Sequence, residues 1–386
     1  MGRHYLDHAS TSPLRPEAAA AMSRWLEEAG AGEWGDPGRV HLEGRRARPV
    51  LEEAREAVAG FLGTRPRQVV FTSGATEAVN AAVWGATRGH PGRPVLLAEV
   101  EHSCVREASV RLAPTVVLPV DGTGRVDIAA LEEALARVEA EGGPPALVHC
   151  QAANHEVGTL QPLAEVVEAS HRRGAWVHVD AAVAAGHLPV AFDDLGADLL
   201  SVSAHKLGGP PGVGALLVRR GLRIEPLLLG GDQERGRRGG LENGIGIVGF
   251  GAVAGALAEP GRQAAEAALA REQTARLLEA ALAVDDVGIL GHPLDRLPQL
   301  VCLAVGGVEA EPVLLGLDRA GVAAHSGSAC SSEALAPSPV LEAMGVEAER
   351  SLRLSVGWST TGEDVAAFAG AFPGVVGDLR ALGRSG

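Results

Sequence analysis

The 386-residue sequence carries 34 basic and 48 acidic side chains, which give a formal net charge of −14. This sign disfavours direct binding to nucleic-acid phosphates or to anionic lipid. A chain of this length predicts two domains, since one domain has roughly 100–200 residues.

Membrane insertion, secretion and metal binding are also disfavoured. No apolar run approaches the roughly 20 residues that span a bilayer, and the N-terminus lacks a secretory apolar core. The four cysteines, Cys104, Cys150, Cys302 and Cys330, form neither a CxxC pair nor a zinc-type spacing. We therefore expect reduced thiols, no metal site and a cytoplasmic location.

Short apolar runs alternate with Ala- and Glu-rich helical stretches along the first half of the chain. The runs lie at residues 68–71, 94–98, 146–150, 175–179 and 199–202. Such alternation predicts an α/β fold with a mostly parallel sheet. Ligands bind beyond the carboxyl ends of the strands in these sheets, so the residues after each run are site candidates.

The C-terminal part has a different pattern. An Ala/Glu/Leu helical pattern covers residues 251–284, and strand-like runs follow at 300–305 and 351–355. We predict a large domain at residues 14–250 and a smaller α/β domain formed by residues 1–13 and 251–386. A long helix is expected to join them.

Three strand ends carry residues suited to holding a phosphorylated cofactor. The segment after the first run, with Gly74 before Ala75 and Thr76, predicts a helix start whose backbone N–H groups could bind a phosphate; a simple helix cap has the same pattern. Asp180 ends an apolar strand, where a buried carboxylate needs a partner. Lys206 precedes a Gly/Pro-rich loop and is a candidate Schiff-base nucleophile.

Together these segments resemble the class V aminotransferase-like cysteine desulfurases of pyridoxal-phosphate fold type I. The resemblance covers nearly the whole chain and includes the segments 5–13, 73–77, 101–102, 154–159, 178–181, 203–206, 326–330 and 351–355. It implies a fold type I architecture, a pyridoxal 5'-phosphate cofactor, L-cysteine as substrate and a homodimer. The implied reaction leaves alanine and a persulfide, whose sulfur passes to an acceptor protein.

The resemblance also implies roles for single residues. Lys206 would bind the cofactor as a Schiff base and move protons, while Asp180 would bond the pyridinium nitrogen. His102 would stack on the ring and serve as a candidate acid or base. Arg353 would pair with the substrate carboxylate. The phosphate contacts would come from Ala75, Thr76, Ser203 and His205, and the persulfide would form on Cys330, which is the small domain's catalytic cysteine.

Four positions depart from the family pattern and indicate a divergent member. His155 and Val183 replace an Asn and a Gln near the cofactor's phenolic oxygen, so we expect His155 alone to contact that oxygen. Asp36 replaces a substrate-binding Asn, where a carboxylate repels the substrate unless a cation such as Arg39 offsets it. Leu241 replaces a Thr that reaches the neighbouring subunit's phosphate.

Other functions stay open at this point. A carbon–sulfur lyase on the same scaffold would release pyruvate without needing Cys330, and a selenocysteine lyase would use the same fold. A cofactor-free scaffold protein is a third alternative, although Lys206, Asp180 and His102 are all present. The sulfur acceptor and the pathway are not indicated by the sequence.

Overall fold

The computed structural model describes residues 2–326 and 337–383 of the chain. The strands are β1 (His4–Tyr5), β2 (Val69–Thr72), β3 (Val95–Ala98), β4 (Thr115–Leu118), β5 (Leu147–Gln151), β6 (Trp176–Asp180), β7 (Leu199–Ser203), β8 (Gly214–Val218), β9 (Val287–Leu290), β10 (Leu300–Val305), β11 (Val322–Ala323) and β12 (Ser351–Ser355). The helices are α1 (Pro16–Gly30), α2 (Leu42–Phe61), α3 (Ala75–Gly89), α4 (Ser103–Leu112), α5 (Ile128–Gly142), α6 (Leu163–Arg172), α7 (Phe192–Leu195), α8 (Gln233–Gly236), α9 (Gly244–Leu257), α10 (Arg262–Leu282), α11 (Ala310–Arg319), α12 (Pro339–Ala343) and α13 (Gly362–Gly383).

Seven strands form the large sheet in the order β2-β8-β7-β6-β5-β3-β4. β8 is antiparallel to β2 and β7, and the remaining pairs are parallel. The predicted α/β fold with a mostly parallel sheet is therefore confirmed, and each of the five predicted apolar runs forms a strand. Parallel register sets Gln151, Asp180 and Ser201 side by side on three adjacent strands.

Helices cover both faces of this sheet because side chains alternate along buried strands. Leu200 and Val202 of β7 pack in one core with Phe250 of α9 and with residues of α2. Leu199, on the opposite face, packs in a second core with Val79 and other residues of α3. The strands are thus held rigidly from both sides, which fixes the position of the residues that follow them.

A smaller sheet contains the strands β12-β10-β9, all antiparallel, and a parallel pair joins β1 to β11. β10 and β12 match the predicted strands at 300–305 and 351–355. Phe368 and Phe372 of α13 stack at a centroid distance of 4.9 Å in the core beside these strands. By length and composition α13 could cross a membrane, yet its buried side chains face this core.

The prediction of one long connecting helix within residues 251–284 is wrong. The segment forms two helices, α9 and α10, whose axes differ by 82°. Pro260 cannot extend a helix, and Gly261 adopts a left-handed φ of 82° at the turn. The predicted domain boundary after residue 250 falls inside α9, whose residues belong to the large-sheet core. The division into two domains stays a prediction, and the turn at 258–261 would divide the chain without cutting a helix.

One acidic side chain lies fully buried at the edge from which ligands are expected. Glu101 follows β3, and its Oε1 accepts a hydrogen bond of 2.7 Å from the Gln151 N–H. Burial raises the pKa of Glu101 to about 8, with the nearby Asp180 carboxylate acting in the same direction. Glu101 thus joins the ends of β3 and β5 as a protonated carboxyl group at neutral pH.

We expect Gly251→Ala to destabilise the protein by about 2 kcal/mol, because overpacking a core has that typical cost. A Cβ at Gly251 would lie 2.6 Å from both Cα and Cβ of Ala54, where α9 crosses α2. Chemical unfolding measures the effect. Gly255→Ala is the matched control in the same helix, since its Cβ would meet only Ala57 Cβ at 3.9 Å. Equal stability of the two variants would contradict this packing.

Glu101→Gln tests the buried carboxyl group. The folded protein retains the Glu101 proton up to about pH 8, whereas the unfolded chain releases it above 4.5. Stability therefore falls as pH rises through this window, because the folded state binds the additional proton. Between pH 5 and 8 we expect the native protein to lose at least about 1 kcal/mol more than the variant, given 1.36 kcal/mol per pKa unit. Parallel pH profiles of unfolding free energy would refute this.

Candidate active site

A cavity of about 510 Å³ opens at the carboxyl ends of β6 and β7. Its walls come from strand ends, helix starts and the N-terminal segment, as expected for a ligand site in an open α/β sheet. Nine of the predicted site residues line it: Ala75, Thr76, His102, His155, Asp180, Ser203, His205, Lys206 and Arg353. Because these residues are spread over 279 positions of sequence, from 75 to 353, only the fold brings them together.

One end of the cavity is suited to a phosphate. Helix α3 begins at Ala75, and the first N–H groups of a helix have no partner within it. These groups and the positive end of the helix dipole attract an anion. A Cβ at Gly214 would lie 2.5 Å from the Val202 carbonyl oxygen and 2.7 Å from Gly74 Cα, so glycine is required for this close approach.

Two side chains complete this end of the cavity. Ser203 is the last residue of β7, and His205 lies in the short 3-10 helix that follows. Burial, together with the Lys206 charge, lowers the pKa of His205 to about 4. His205 is therefore a neutral imidazole at pH 7 and can donate one hydrogen bond.

Lys206 reaches the centre of the cavity from the same 3-10 helix. Its Nζ donates to the Ser10 carbonyl oxygen at 2.9 Å and to that of Ala9. Lys206 is also the only lysine of the sequence, although the chain has 34 basic residues. This count is a sequence signal beyond the motifs, because the chain uses arginine at every other basic position and has a lysine only here.

Asp180 lies across the cavity at the end of β6. Its Oδ1 accepts hydrogen bonds from the Ala182 N–H at 3.0 Å and from the Ser201 hydroxyl at 3.2 Å. The residue is only 8% exposed. A carboxylate in such a position can accept a further hydrogen bond from a cationic donor in the cavity, which offsets the cost of burial.

His102 caps α4 and is fixed by its neighbours. Its Nδ1 accepts from the Cys104 N–H at 3.1 Å, and Cys104 Sγ lies 3.1 Å from the same nitrogen. A backbone N–H can only donate, so Nδ1 is the acceptor in this contact and Nε2 carries a ring proton. The His102 and His155 rings meet edge to face at 5.0 Å between centroids.

Arg353 is a buried cation held in one orientation. Its Nη2 donates to Asp7 Oδ1 at 3.0 Å and to Ser10 Oγ at 2.7 Å, and its Nη1 donates to the His155 carbonyl oxygen at 2.9 Å. Asp7 and Ser10 belong to the N-terminal segment that the resemblance quoted, but no role had been predicted for them. They fix the guanidinium at the cavity wall.

Asn154 and His155 are adjacent in sequence but have different surroundings. Asn154 points away from the cavity: its Nδ2 donates to the Val100 carbonyl oxygen at 3.2 Å, and its Oδ1 accepts from the N–H groups of Glu156 and Val157. His155 and Val183 both line the cavity. Val183 therefore presents an apolar side chain to it.

Asp36 does not line the cavity of its own chain, and its substrate-binding role stays a prediction. It lies between α1 and α2, where its Oδ2 is 3.0 Å from Arg39 Nε and its Oδ1 accepts from the Gly38 N–H. The local turn uses the carboxylate, and Arg39 neutralises it. Leu241 is exposed, and the nearby Asn243 caps α9 by accepting from the Gly246 N–H.

The cysteines divide into two groups. Cys150 and Cys302 are buried on β5 and β10, as expected for strand core, and burial raises the pKa of the Cys302 thiol to about 12. Cys104 lines the cavity. Cys330, the predicted persulfide residue, lies outside the described residues.

Comparison with known proteins agrees with this site. Residues 4–368 match the family described as aminotransferase class-V. A protein of Archaeoglobus fulgidus named cysteine desulfurase IscS 1 is 38% identical over 98% of each chain.

Solved structures extend the likeness to the fold. A NifS-like protein has a TM-score of 0.88 and 29% identity, over 98% of this chain and 100% of its own. The structure of SspA in complex with cysteine has a TM-score of 0.78 and 26% identity, over 92% and 99% of the two chains. The chain therefore belongs to the class V aminotransferase family, and within that family it is a cysteine desulfurase.

Proposed function

We propose that the chain holds pyridoxal 5'-phosphate on Lys206, converts L-cysteine to L-alanine and receives the sulfur as a persulfide on Cys330. The observation that carries this proposal is the position of the only lysine. It lines the same cavity as the start of α3 and the buried carboxylate of Asp180. The SspA complex contains cysteine and supports that substrate class.

The donors and acceptors of the cavity fit this cofactor. The start of α3 with Thr76, Ser203 and His205 offers N–H and O–H donors for a phosphate. Asp180 offers the acceptor that keeps a pyridine nitrogen protonated. When bound, the cofactor supplies an electron sink for the substrate amino acid. Lys206 is placed to move a proton once its Nζ is released.

Arg353 is suited to bind the substrate carboxylate. A guanidinium offers several N–H donors in a fixed plane, and Asp7 and Ser10 use only part of this set. Because these contacts hold the group before the substrate arrives, little ordering is needed on binding. Asp7 also offsets the Arg353 charge, so the wall is not strongly cationic in the absence of substrate.

The described residues beside Cys330 support its role as sulfur acceptor. His325 pairs with Arg353 through two backbone hydrogen bonds, of 3.1 and 2.6 Å. Ser326 follows it and is 8% exposed. The last described residues before the segment that contains Cys330 therefore lie next to Arg353, the arginine proposed to bind the substrate.

We also propose a homodimer. Val40, Leu229 and Leu241 expose 88%, 80% and 63% of their surface. Leu241 is next to Glu242, whose Oε1 lies 3.5 Å from Arg48 Nη1 in α2, the helix that follows Val40. Exposed apolar side chains grouped in this way are typical of an interface, and a second copy would cover them.

A cytoplasmic location is proposed from the cysteines. Cys104, Cys150 and Cys302 are free thiols, as expected in a reducing compartment. An acceptor protein for the sulfur is part of the proposal, because a persulfide must be discharged before another turnover. No feature of the described residues favours one sulfur pathway.

Product analysis tests the proposed reaction. We expect the cofactor-loaded protein to form alanine from L-cysteine and Cys330→Ala to form none, because the variant lacks the nucleophile that takes the sulfur. Cys302→Ala is the matched control, since it removes a thiol from the strand core and should still form alanine. Pyruvate from both the native protein and Cys330→Ala would establish a carbon–sulfur lyase instead. Absence of any product would contradict the proposed substrate.

A further inference from the structure

A buried carboxylate lies directly behind His155, one of the three histidines that line the cavity. Glu156 is 2% exposed, and its Oε1 lies 3.5 Å from His155 Nε2, within ion-pair distance. Its Oε2 accepts a hydrogen bond of 2.5 Å from the Ser338 hydroxyl. Glu156 does not line the cavity, so it can affect bound molecules only through the residues it contacts.

Ser338 fixes the direction of this hydrogen bond. It is the N-cap of α12, where its Oγ accepts from the Leu341 N–H at 3.2 Å. The Ser338 hydroxyl proton is therefore available to Glu156, whose Oε2 acts as the acceptor. A carboxylate that is buried and accepts in this way needs a positive partner, because an isolated buried charge is costly. His155 is positioned to provide that partner.

Several other charged and titratable groups among the described residues lie near His155. Arg353 donates to the His155 backbone oxygen, and Asp7 offsets its charge. The His102 ring meets the His155 ring edge to face. Glu101 interacts electrostatically with His155, while Asp180 and Lys206, of opposite charge, line the same cavity.

We propose that Glu156 is a positioning residue that keeps the His155 imidazole protonated, so that His155 faces the cofactor's phenolic oxygen as a cation. The inference rests on the proposed function, because that function brings the cofactor to His155. The imidazolium would place a positive charge at this wall of the cavity, with the compensating carboxylate of Glu156 behind it.

The protons can be assigned to single atoms. In the proposed imidazolium both ring nitrogens carry a proton, and Nε2 is the nitrogen that lies 3.5 Å from Glu156 Oε1. An imidazolium has two donors, whereas a neutral ring has one donor and one acceptor. Replacing the carboxylate by a neutral amide removes the charge that favours the second proton, and the ring becomes neutral at a lower pH.

The direct test is a titration of His155 in the apoprotein, followed by NMR of the imidazole nitrogens. The imidazole resonance that is absent from the spectrum of His155→Asn is assigned to His155. We expect a His155 pKa above the ordinary value of about 6.5, and a decrease of about one unit, or tenfold in proton affinity, in Glu156→Gln. Glu165→Gln, which removes an exposed carboxylate on α6, is the matched control and should leave this pKa unchanged.

Two outcomes would overturn the proposal. One is a His155 pKa below 6.5 in the unaltered protein, which decides the question even if Glu156→Gln does not fold. The other is an unchanged or higher pKa in folded Glu156→Gln. Both readouts use apoprotein, so they are independent of whether Lys206 binds the cofactor or the protein forms alanine.

The cofactor-loaded protein provides a second readout that a merely structural role would not change. A nearby cation favours the less protonated form of the cofactor, so Glu156→Gln should raise the midpoint of its absorbance titration. In a His155→Asn background the same substitution should have no effect, because Glu156 acts through His155. An equal shift in both backgrounds would contradict this route.

Discussion

The parallel register of β5, β6 and β7 is the constraint on which the site depends. It places Gln151, Asp180 and Ser201 in one row, and the turns that follow deliver His155 and Lys206 to the same cavity. Cores on both faces of the sheet hold these strand ends. A shift of one residue in any strand would turn its last side chain to the opposite face. The chemistry is thus fixed by backbone pairing before any ligand binds.

The buried charges in and behind the cavity have partners. Arg353 is paired with Asp7, and Glu156 lies beside His155 and accepts from Ser338. Glu101, which lies deeper, avoids a charge by keeping its proton. Such pairing matters because buried charges without partners destabilise the fold by several kcal/mol. It also leaves Lys206 and Asp180 as the groups with capacity for a cofactor.

Much of the fold and site could be predicted from the sequence. The apolar runs predicted five strands of the large sheet, and the resemblance identified nine residues that line one cavity. β4 was missed because its residues are half-exposed at the sheet edge, and β8 because it follows a Gly/Pro-rich loop. The break between α9 and α10 was missed although Pro260 and Gly261 mark it. Asp7, Ser10 and Glu156 could not be assigned, because their contacts with Arg353, His155 and Ser338 depend on tertiary structure.

One chemical measurement tests directly whether Lys206 holds pyridoxal 5'-phosphate. The protein is loaded with the cofactor, reduced with borohydride, digested and mapped by mass spectrometry. Since Lys206 is the only lysine, we predict one pyridoxyl group on the peptide that contains it and none on Lys206→Ala. Absence of the label from the native protein, or a label only at the N-terminal amine, would contradict it.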